Sequence, residues 1–481
     1  MDGALPSDPP TLGAPAAPWR WVSAGVGLLA LGIVAYLVSP KLGILALGLP
    51  GVPLLVLYPA LGLLGLIALI PFDSVASLVP SNTLTLTSLA GMVVMGGWLV
   101  HLLVRRSRLR LSGPGLLLLA YVLFALLSLS WTADPERSLP QVKTLVQLLL
   151  LYVMAVNLLT TPQALERALD VLLVATTMVS LLVLVQYDPA TAARGSLESG
   201  GKSTDPNYLA ATLIAPAVAA VALGAARGRL GWLRFAAFGS LGLATVVTGS
   251  RGGLLAMLVG VGVVGILRPR LGVRLAIVTL LLLPVLPLVL PSAVLQRQIE
   301  RFQGLGEDRG SGRLDIWKVG GAMARDNPIL GAGFGSFGPS FYRYMYGGET
   351  VVDPRWARGN VWGGRASHNI YLSAAAELGA VGGGLLGLAF GAHALAVFRA
   401  CRRAKARRDG TDRIYLALLA MFACFLLMGM TIDTMGTKAA WLLLALMQAV
   451  GVQPPTRPGP PFPQSLKWEA VPRCPTPIGE S

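Results

Sequence analysis

Residues 205–274 read DPNYLAATLIAPAVAAVALGAARGRLGWLRFAAFGSLGLATVVTGSRGGLLAMLVGVGVVGILRPRLGVR. Three apolar runs follow one another here, each near the length needed to cross about 30 Å of hydrocarbon. Arg227, Arg229 and Arg234 separate the first two, and Arg268, Arg270 and Arg274 follow the third. Only the short TGSRGG lies between the second and third. Basic residues gathered at alternate connections are the positive-inside pattern. The stretch therefore reads as three membrane-spanning helices, with 225–234 and 268–274 cytosolic and 249–251 on the opposite face.

The same grammar extends along the chain. It is 54% hydrophobic and 13% charged, with a mean hydropathy of +0.66, too apolar for a soluble protein of 481 residues. Apolar runs recur at 20–38, 42–57, 59–72, 84–104, 114–131, 138–158, 164–187, 205–224, 230–248, 251–268, 271–290, 369–398, 412–432 and 436–451. A spanning segment must satisfy its own backbone hydrogen bonds, which excludes open sheets. The fold expected is an all-α integral membrane protein, a polytopic bundle of about 12–14 transmembrane helices. Residues 1–19 are a cytosolic tail, 20–290 and 368–451 carry the helices, 291–367 form one large extracytosolic loop with short helices, and 452–481 are a proline-rich, disordered cytosolic tail. Pro50, Pro53 and Pro59 leave 42–72 open between one kinked helix and two shorter ones; two are favoured. The run 369–398 is long enough to tilt or to project from the bilayer.

The formal charge of +16 does not imply nucleic acid. It is concentrated in four connections, 105–110, 227–234, 268–274 and 399–413, where topology and contact with anionic membrane lipids account for it. The three cysteines, Cys401, Cys424 and Cys474, give no disulfide framework and have no metal-ligand spacing. No basic residue precedes Arg20, so the first helix is expected to be retained rather than cleaved as a signal peptide.

Within the loop, 293–303 (AVLQRQIERFQ) is amphipathic and suits the bilayer surface. Residues 312–325 read as a helix with Arg313, Trp317 and Gly320/Gly321 on one face, stopped by Asn327-Pro328. GAGFGSFG (331–338) reads as a flexible turn.

Three residues on the extracytosolic side could carry chemistry. Arg251 lies in a turn with almost no loop, on the face where positive charge is sparse, and Gly252 and Gly253 leave the following backbone N–H groups uncrowded. A helix start with a guanidinium is an anion site; the ordinary alternative is a snorkelling arginine at a helix end. Arg313 opens its helix similarly, and its planar fork suits a phosphate, unless it only pairs with Asp315. The chain has three histidines. His101 and His393 fall beside arginine-rich cytosolic connections, whereas His368 closes the long loop. Its ordinary pKa suits proton abstraction from a sugar hydroxyl; capping or packing is the plain alternative. Glu377, nine residues on, falls on the opposite side of an ideal helix and is expected to bind within the bundle. No metal-ligand cluster and no well-placed carboxylate pair of the glycosidase kind is visible.

At these residues the chain resembles the bacterial O-antigen ligase and O-antigen polymerase family. The matching pieces are Ser-Thr-Asp-Pro-Asn (203–207), Ser250-Arg251-Gly252, Gly312-Arg313-Leu314 with Trp317, Asn327-Pro328-Ile329-Leu330-Gly331, Ser367-His368-Asn369 and Glu377-Leu378-Gly379. The resemblance implies an inverting-type, metal-independent glycosyltransferase of the C-type membrane class with no cofactor. Its donor would be a glycan on undecaprenyl diphosphate. Its acceptor would be lipid A–core for a ligase, or a second lipid-linked glycan for a polymerase. The site would face the periplasmic or extracellular side of the cytoplasmic (inner) membrane. Carried over residue by residue, Arg251 and Arg313 would bind the diphosphate, His368 would be the base, and Asn207, Glu377 and Asn369 would support them. Ligase and polymerase share these motifs.

A transporter or flippase of lipid-linked glycans is the alternative. Transporters place ionisable residues at mid-membrane or break helices around a central site, whereas acids are nearly absent from these apolar runs except at Glu377, and transport has little use for the long 291–367 loop. A scaffold for polysaccharide assembly would leave Arg251, Arg313 and His368 without a shared role.

Overall fold

The computed structural model describes residues 57–73, 85–106, 108–188, 194–199, 202–224, 229–282, 313–346 and 366–450, with isolated positions between 292 and 303. Both tails, the runs 20–38 and 42–56, and nearly all of the surface segment 293–303 lie outside these residues.

Among the described residues the chain is an all-α polytopic membrane protein. Its helices are α1 (Pro59–Leu69), α2 (Leu86–Arg105), α3 (Gly113–Leu127), α4 (Pro135–Leu158), α5 (Pro162–Gln186), α6 (Pro206–Gly224), α7 (Arg229–Val247), α8 (Arg251–Leu267), α9 (Pro269–Leu282), α10 (Arg313–Asp326), α11 (Phe337–Tyr346), α12 (Ile370–Arg407), α13 (Asp412–Gly429) and α14 (Lys438–Ala449). A two-residue antiparallel ladder, β1 (Glu198–Ser199) with β2 (Lys202–Ser203), precedes α6. Eight helices are long and apolar enough to cross a membrane, and three shorter apolar helices accompany them. Pro59, Pro135, Pro162, Pro206 and Pro269 each open a helix, where a missing N–H costs nothing. Thr85, Asp134, Thr161, Ser250, Asn369 and Thr437 cap helices with a side-chain oxygen.

α6 is the centre. Its second half, Pro216–Gly224, is buried on every side and consists of small residues that allow close approach of neighbours. Gly260 of α8 packs at Cys424 of α13 and Val218 of α6, with no room for a Cβ.

The contacts sort the helix ends into two sets. At the arginine-rich end, Arg234 is 2% exposed. Its Nη2 donates to Glu166 Oε1 (2.8 Å) and Asp170 Oδ2 (2.8 Å), its Nε to Asp170 Oδ1 (3.0 Å), and its Nη1 to the Leu223 carbonyl (3.2 Å). Arg413 Nη2 reaches both oxygens of Glu166 at 3.0 Å, and Arg268 pairs with Asp412. Two arginines that the sequence pattern assigns to topology and lipid contact thus clamp α5, α6, α7 and α13 together, and Glu166 and Asp170 are acids inside an apolar helix that the reading overlooked. His393, which falls next to an arginine-rich connection, is fully buried, with Tyr152 Oη 3.0 Å from Nε2 and Nδ1 2.7 Å from the Ala389 carbonyl. That pairing makes Nδ1 the donor and Nε2 the acceptor of the tyrosine proton. At the opposite end, Lys438 donates to Asp73 at 2.7 Å, closing α14 onto α1.

Breaking a buried charge pair on one side costs on the order of 3 kcal/mol, because the partner stays behind uncompensated. Arg234→Ala should lower the apparent Tm of the purified protein by several degrees, and Glu166→Gln with Asp170→Asn in the same background should recover part of it. Additive losses in the triple variant would contradict the clamp.

Candidate active site

The end opposite the arginine clusters is built from helix starts. Asp205 accepts the N–H groups of Asn207 (2.8 Å) and Tyr208 (3.2 Å) as α6 begins. Asn207 Oδ1 then accepts from Ser250 Oγ (3.1 Å) and from Arg194 Nη2 (2.8 Å). Arg194 Nε also donates to the Thr248 carbonyl (2.8 Å). Gly249, at φ 63°, turns the chain tightly enough for Ser250 to cap α8 at the Gly253 N–H (3.3 Å). Arg251 is the first residue of α8 and is 9% exposed. Gly252 lets this turn lie against Thr431; a Cβ there would meet the Thr431 hydroxyl at 2.8 Å.

Thr431 leads to Asp433, which joins α6 to α12. Tyr208 Oη donates to the Asp433 carbonyl (3.0 Å), and Ser373 Oγ donates to the Asp433 carboxylate (2.6 Å). Ser373 and Ser367 hydroxyls are 2.5 Å apart. Asn369 N–H donates to Ser367 Oγ (3.1 Å), while Asn369 Oδ1 caps α12 at Tyr371 and Leu372 (both 3.0 Å). His368 is thus held between two fixed neighbours, half-buried, at φ 50°. A non-glycine residue in the left-handed region is uncommon and persists where its surroundings over-determine it.

The third piece is a break in α12. Gly379 adopts φ 61°, ψ −159°, a region essentially closed to other residues. The break frees backbone groups on both sides, and the segment after α10 takes them up. Ala332 and Gly333 N–H donate to the carbonyls of Ala376 (3.0 Å) and Glu377 (2.8 Å), while Ala380 and Val381 N–H donate to the carbonyls of Pro328 (2.8 Å) and Ile329 (3.2 Å). The glycine turn read as flexible is docked, with Gly331, Gly333 and Gly335 all at positive φ. The Glu377 carboxylate accepts the Phe337 N–H at the start of α11 (3.0 Å), so its partner lies in the loop rather than in the bundle.

Arg313 is the first residue of α10. Gly320 lies against Leu372, where a Cβ would come within 2.7 Å, and Pro328 faces Ala380, so α10 and α12 run side by side in parallel. The first turn of α10 is therefore level with the residues preceding α12. The buried face of α10 is Asp315, Ile316, Val319, Gly320 and Met323; of Arg313, Trp317 and Gly320/Gly321, read as sharing one face, Gly320 belongs to it. Asp315 pairs with Lys318 at 3.6 Å.

Between α3, α4, α6, α12 and the Asp433 turn lies a cavity of about 390 Å³. Ser367, Ser373, Tyr208, Glu377 and Asp433 line it; Arg251, Arg313 and His368 do not. Glu377 and Asp433 therefore face one cavity, although no carboxylate pair was visible in the sequence. Arg194, Ser373 and Asp433 were likewise not singled out there. Only Arg194, a basic residue on the side where such residues are sparse, left a usable signal.

Fold and site together define a multi-pass membrane protein with a polar site at one end of its bundle. Residues 235–387, the stretch that holds Arg251, Arg313, His368, Asn369 and Glu377, match the family model described as O-antigen ligase. The match points to glycosyl transfer of the ligase or polymerase type. No curated protein matches the chain. One solved structure, described as "Structural coordination of polymerization and crosslinking by a peptidoglycan synthase complex", is similar at 22% identity over 70% of this chain and 95% of that chain, with a TM-score of 0.37.

A Cβ at residue 379 would collide with the Ile329 carbonyl. Gly379→Ala should unseat the glycine turn, seen as faster proteolysis within 327–346 and loss of transfer. Gly383→Ala, on the same helix with open space around it, should leave both at wild-type levels; equal protease resistance in the two variants would remove the turn's dependence on the break.

Proposed function

We propose that the protein transfers a glycan from undecaprenyl diphosphate to an acceptor hydroxyl at the outer face of the cytoplasmic membrane, with inversion and without a metal. The observation that carries this reading is the meeting of helix starts. α6, α8 and α12 are tied together through Asn207, Ser250, Thr431, Asp433 and Ser373, and α10 lies alongside α12. Arg251 and Arg313 each occupy the first position of a helix, where the macrodipole adds positive potential to the guanidinium. A diphosphate leaving group already carries its charge and requires stabilisation rather than a strong acid, which preorganised cations supply. His368 accepts the proton of the acceptor hydroxyl. Asn207 positions the Arg251 turn, Asn369 fixes the backbone after His368, and Glu377 anchors the loop above. The arginine clusters at the far end support an outward-facing site, by the positive-inside rule.

The test is transfer by the purified full chain supplied with lipid-linked repeat units, with and without lipid A–core. Ladder growth without lipid A–core identifies a polymerase, and a product only with it identifies a ligase. His368→Ala and Arg251→Ala should each lower kcat/KM by at least about a hundredfold, the scale of a lost general base or charge stabiliser. Wild-type activity in either variant removes that residue from the mechanism. Transfer should persist in EDTA; loss restored by Mg²⁺ or Mn²⁺ would contradict the metal-free reading.

A further inference from the structure

We propose that the 390 Å³ cavity is a binding site for a neutral, hydroxyl-rich sugar unit, separate from the positions that would hold the diphosphate; this rests on the glycosyl-transfer reading. Its walls include several hydrogen-bonding groups. Tyr121 lines it from α3 and is 2% exposed. Its hydroxyl can both donate and accept, and a sugar hydroxyl in the cavity would pair with it. Glu377 and Asp433 face the same space. The Asp433 carboxylate repels a diphosphate, and both acids hydrogen-bond neutral hydroxyls. Tyr208, Phe334 and Phe337 add ring surface of the kind that covers the apolar face of a sugar.

Two further features orient the ligand. Tyr208 also lines a second, apolar cavity with Pro71, Ala215, Phe425 and Met428, so polar and apolar spaces share one wall, as a lipid-borne sugar requires. Ser367, at the mouth of the polar cavity, immediately precedes His368, which puts a sugar held there beside the proposed base.

Gly436 lines the cavity, and a Cβ on it would meet nothing within 4 Å, so Gly436→Leu fills the space without disturbing the walls. Asp433→Asn keeps an acceptor for Ser373 while removing the charge. Three readouts on the full chain in nanodiscs decide the matter: saturation-transfer NMR with methyl β-glucoside, methyl β-galactoside and N-acetylglucosamine; equilibrium binding of undecaprenyl diphosphate bearing no sugar; and KM for donor and acceptor. The wild type should show saturation transfer to at least one sugar, and Gly436→Leu should abolish it. One KM should rise at least about tenfold in Gly436→Leu and Asp433→Asn, the scale of a lost hydrogen bond to a charged group. Undecaprenyl diphosphate binding should stay within twofold of wild type in both, yet fall in Arg251→Ala. A rise in donor KM assigns the cavity to the transferred sugar, and a rise in acceptor KM to the receiving one. No saturation transfer in the wild type, unchanged KM values in Gly436→Leu, or a fall in undecaprenyl diphosphate binding as large as that of Arg251→Ala would each overturn the proposal. Absence of any transfer by the wild type would instead remove the glycosyl-transfer reading, and the NMR comparison would still decide whether the cavity holds sugar.

Discussion

The site depends on one exchange of backbone hydrogen bonds. A helix that breaks within a membrane protein leaves carbonyls and N–H groups that the bilayer cannot satisfy. At Gly379, α12 breaks, and the chain from Pro328 to Gly333 supplies two donors and two acceptors to the freed groups. Neither partner is stable alone: the glycine turn needs three positive-φ residues held in place, and the break needs its groups paired. Together they fix the loop to the bundle. Because α10 precedes the turn and α11 follows it, this exchange also sets where Arg313 stands relative to His368.

Charge is distributed around that scaffold with a clear division. The starts of α6, α8, α10 and α12 bring the positive ends of four helices to one side, together with Arg194, Arg251 and Arg313. Glu377 and Asp433 lie on the cavity, each held by a neighbour's donor. On the proposed reading, an anion and a neutral polyol have different addresses, which is the demand made by a substrate that joins a phosphate to a sugar. At the other end of the bundle the arrangement is purely structural: Arg234 and Arg413 share Glu166, and the helices cannot splay there without stranding a buried charge.

Much of this was legible in the sequence, for definable reasons. Apolar length and arginine periodicity announce spanning helices because the bilayer imposes both. The starts of α6, α8, α10 and α12 could be read because proline, serine, arginine after glycine, and asparagine occupy helix starts for local reasons. The pairing of Asn327–Gly333 with Ala376–Val381 could not, since it is made by backbone atoms far apart in sequence. Asp433 and Ser373 were invisible for a related reason: each is an ordinary polar residue near a helix end until Tyr208 and Ser367 are brought to it. Glu377 was assigned a place in the bundle by helical geometry, which fails when its partner comes from a loop. The pairing of His393 with Tyr152 was not legible either, since the two lie far apart in sequence.

The broken α12 and the paired acids are features also found in transporters, where discontinuous helices surround a central site, so they bear on the choice between transfer and transport. In a transporter the unwound segment must change partners as access alternates. Here the backbone N–H groups of Ala380 and Val381 and the carbonyls of Ala376 and Glu377 are all taken by a single turn, and Gly379 has no room for that turn to slide. The far end is clamped by Arg234, Arg268 and Arg413. A bundle pinned at both ends is suited to holding two substrates still while a bond is exchanged between them, and poorly suited to rocking.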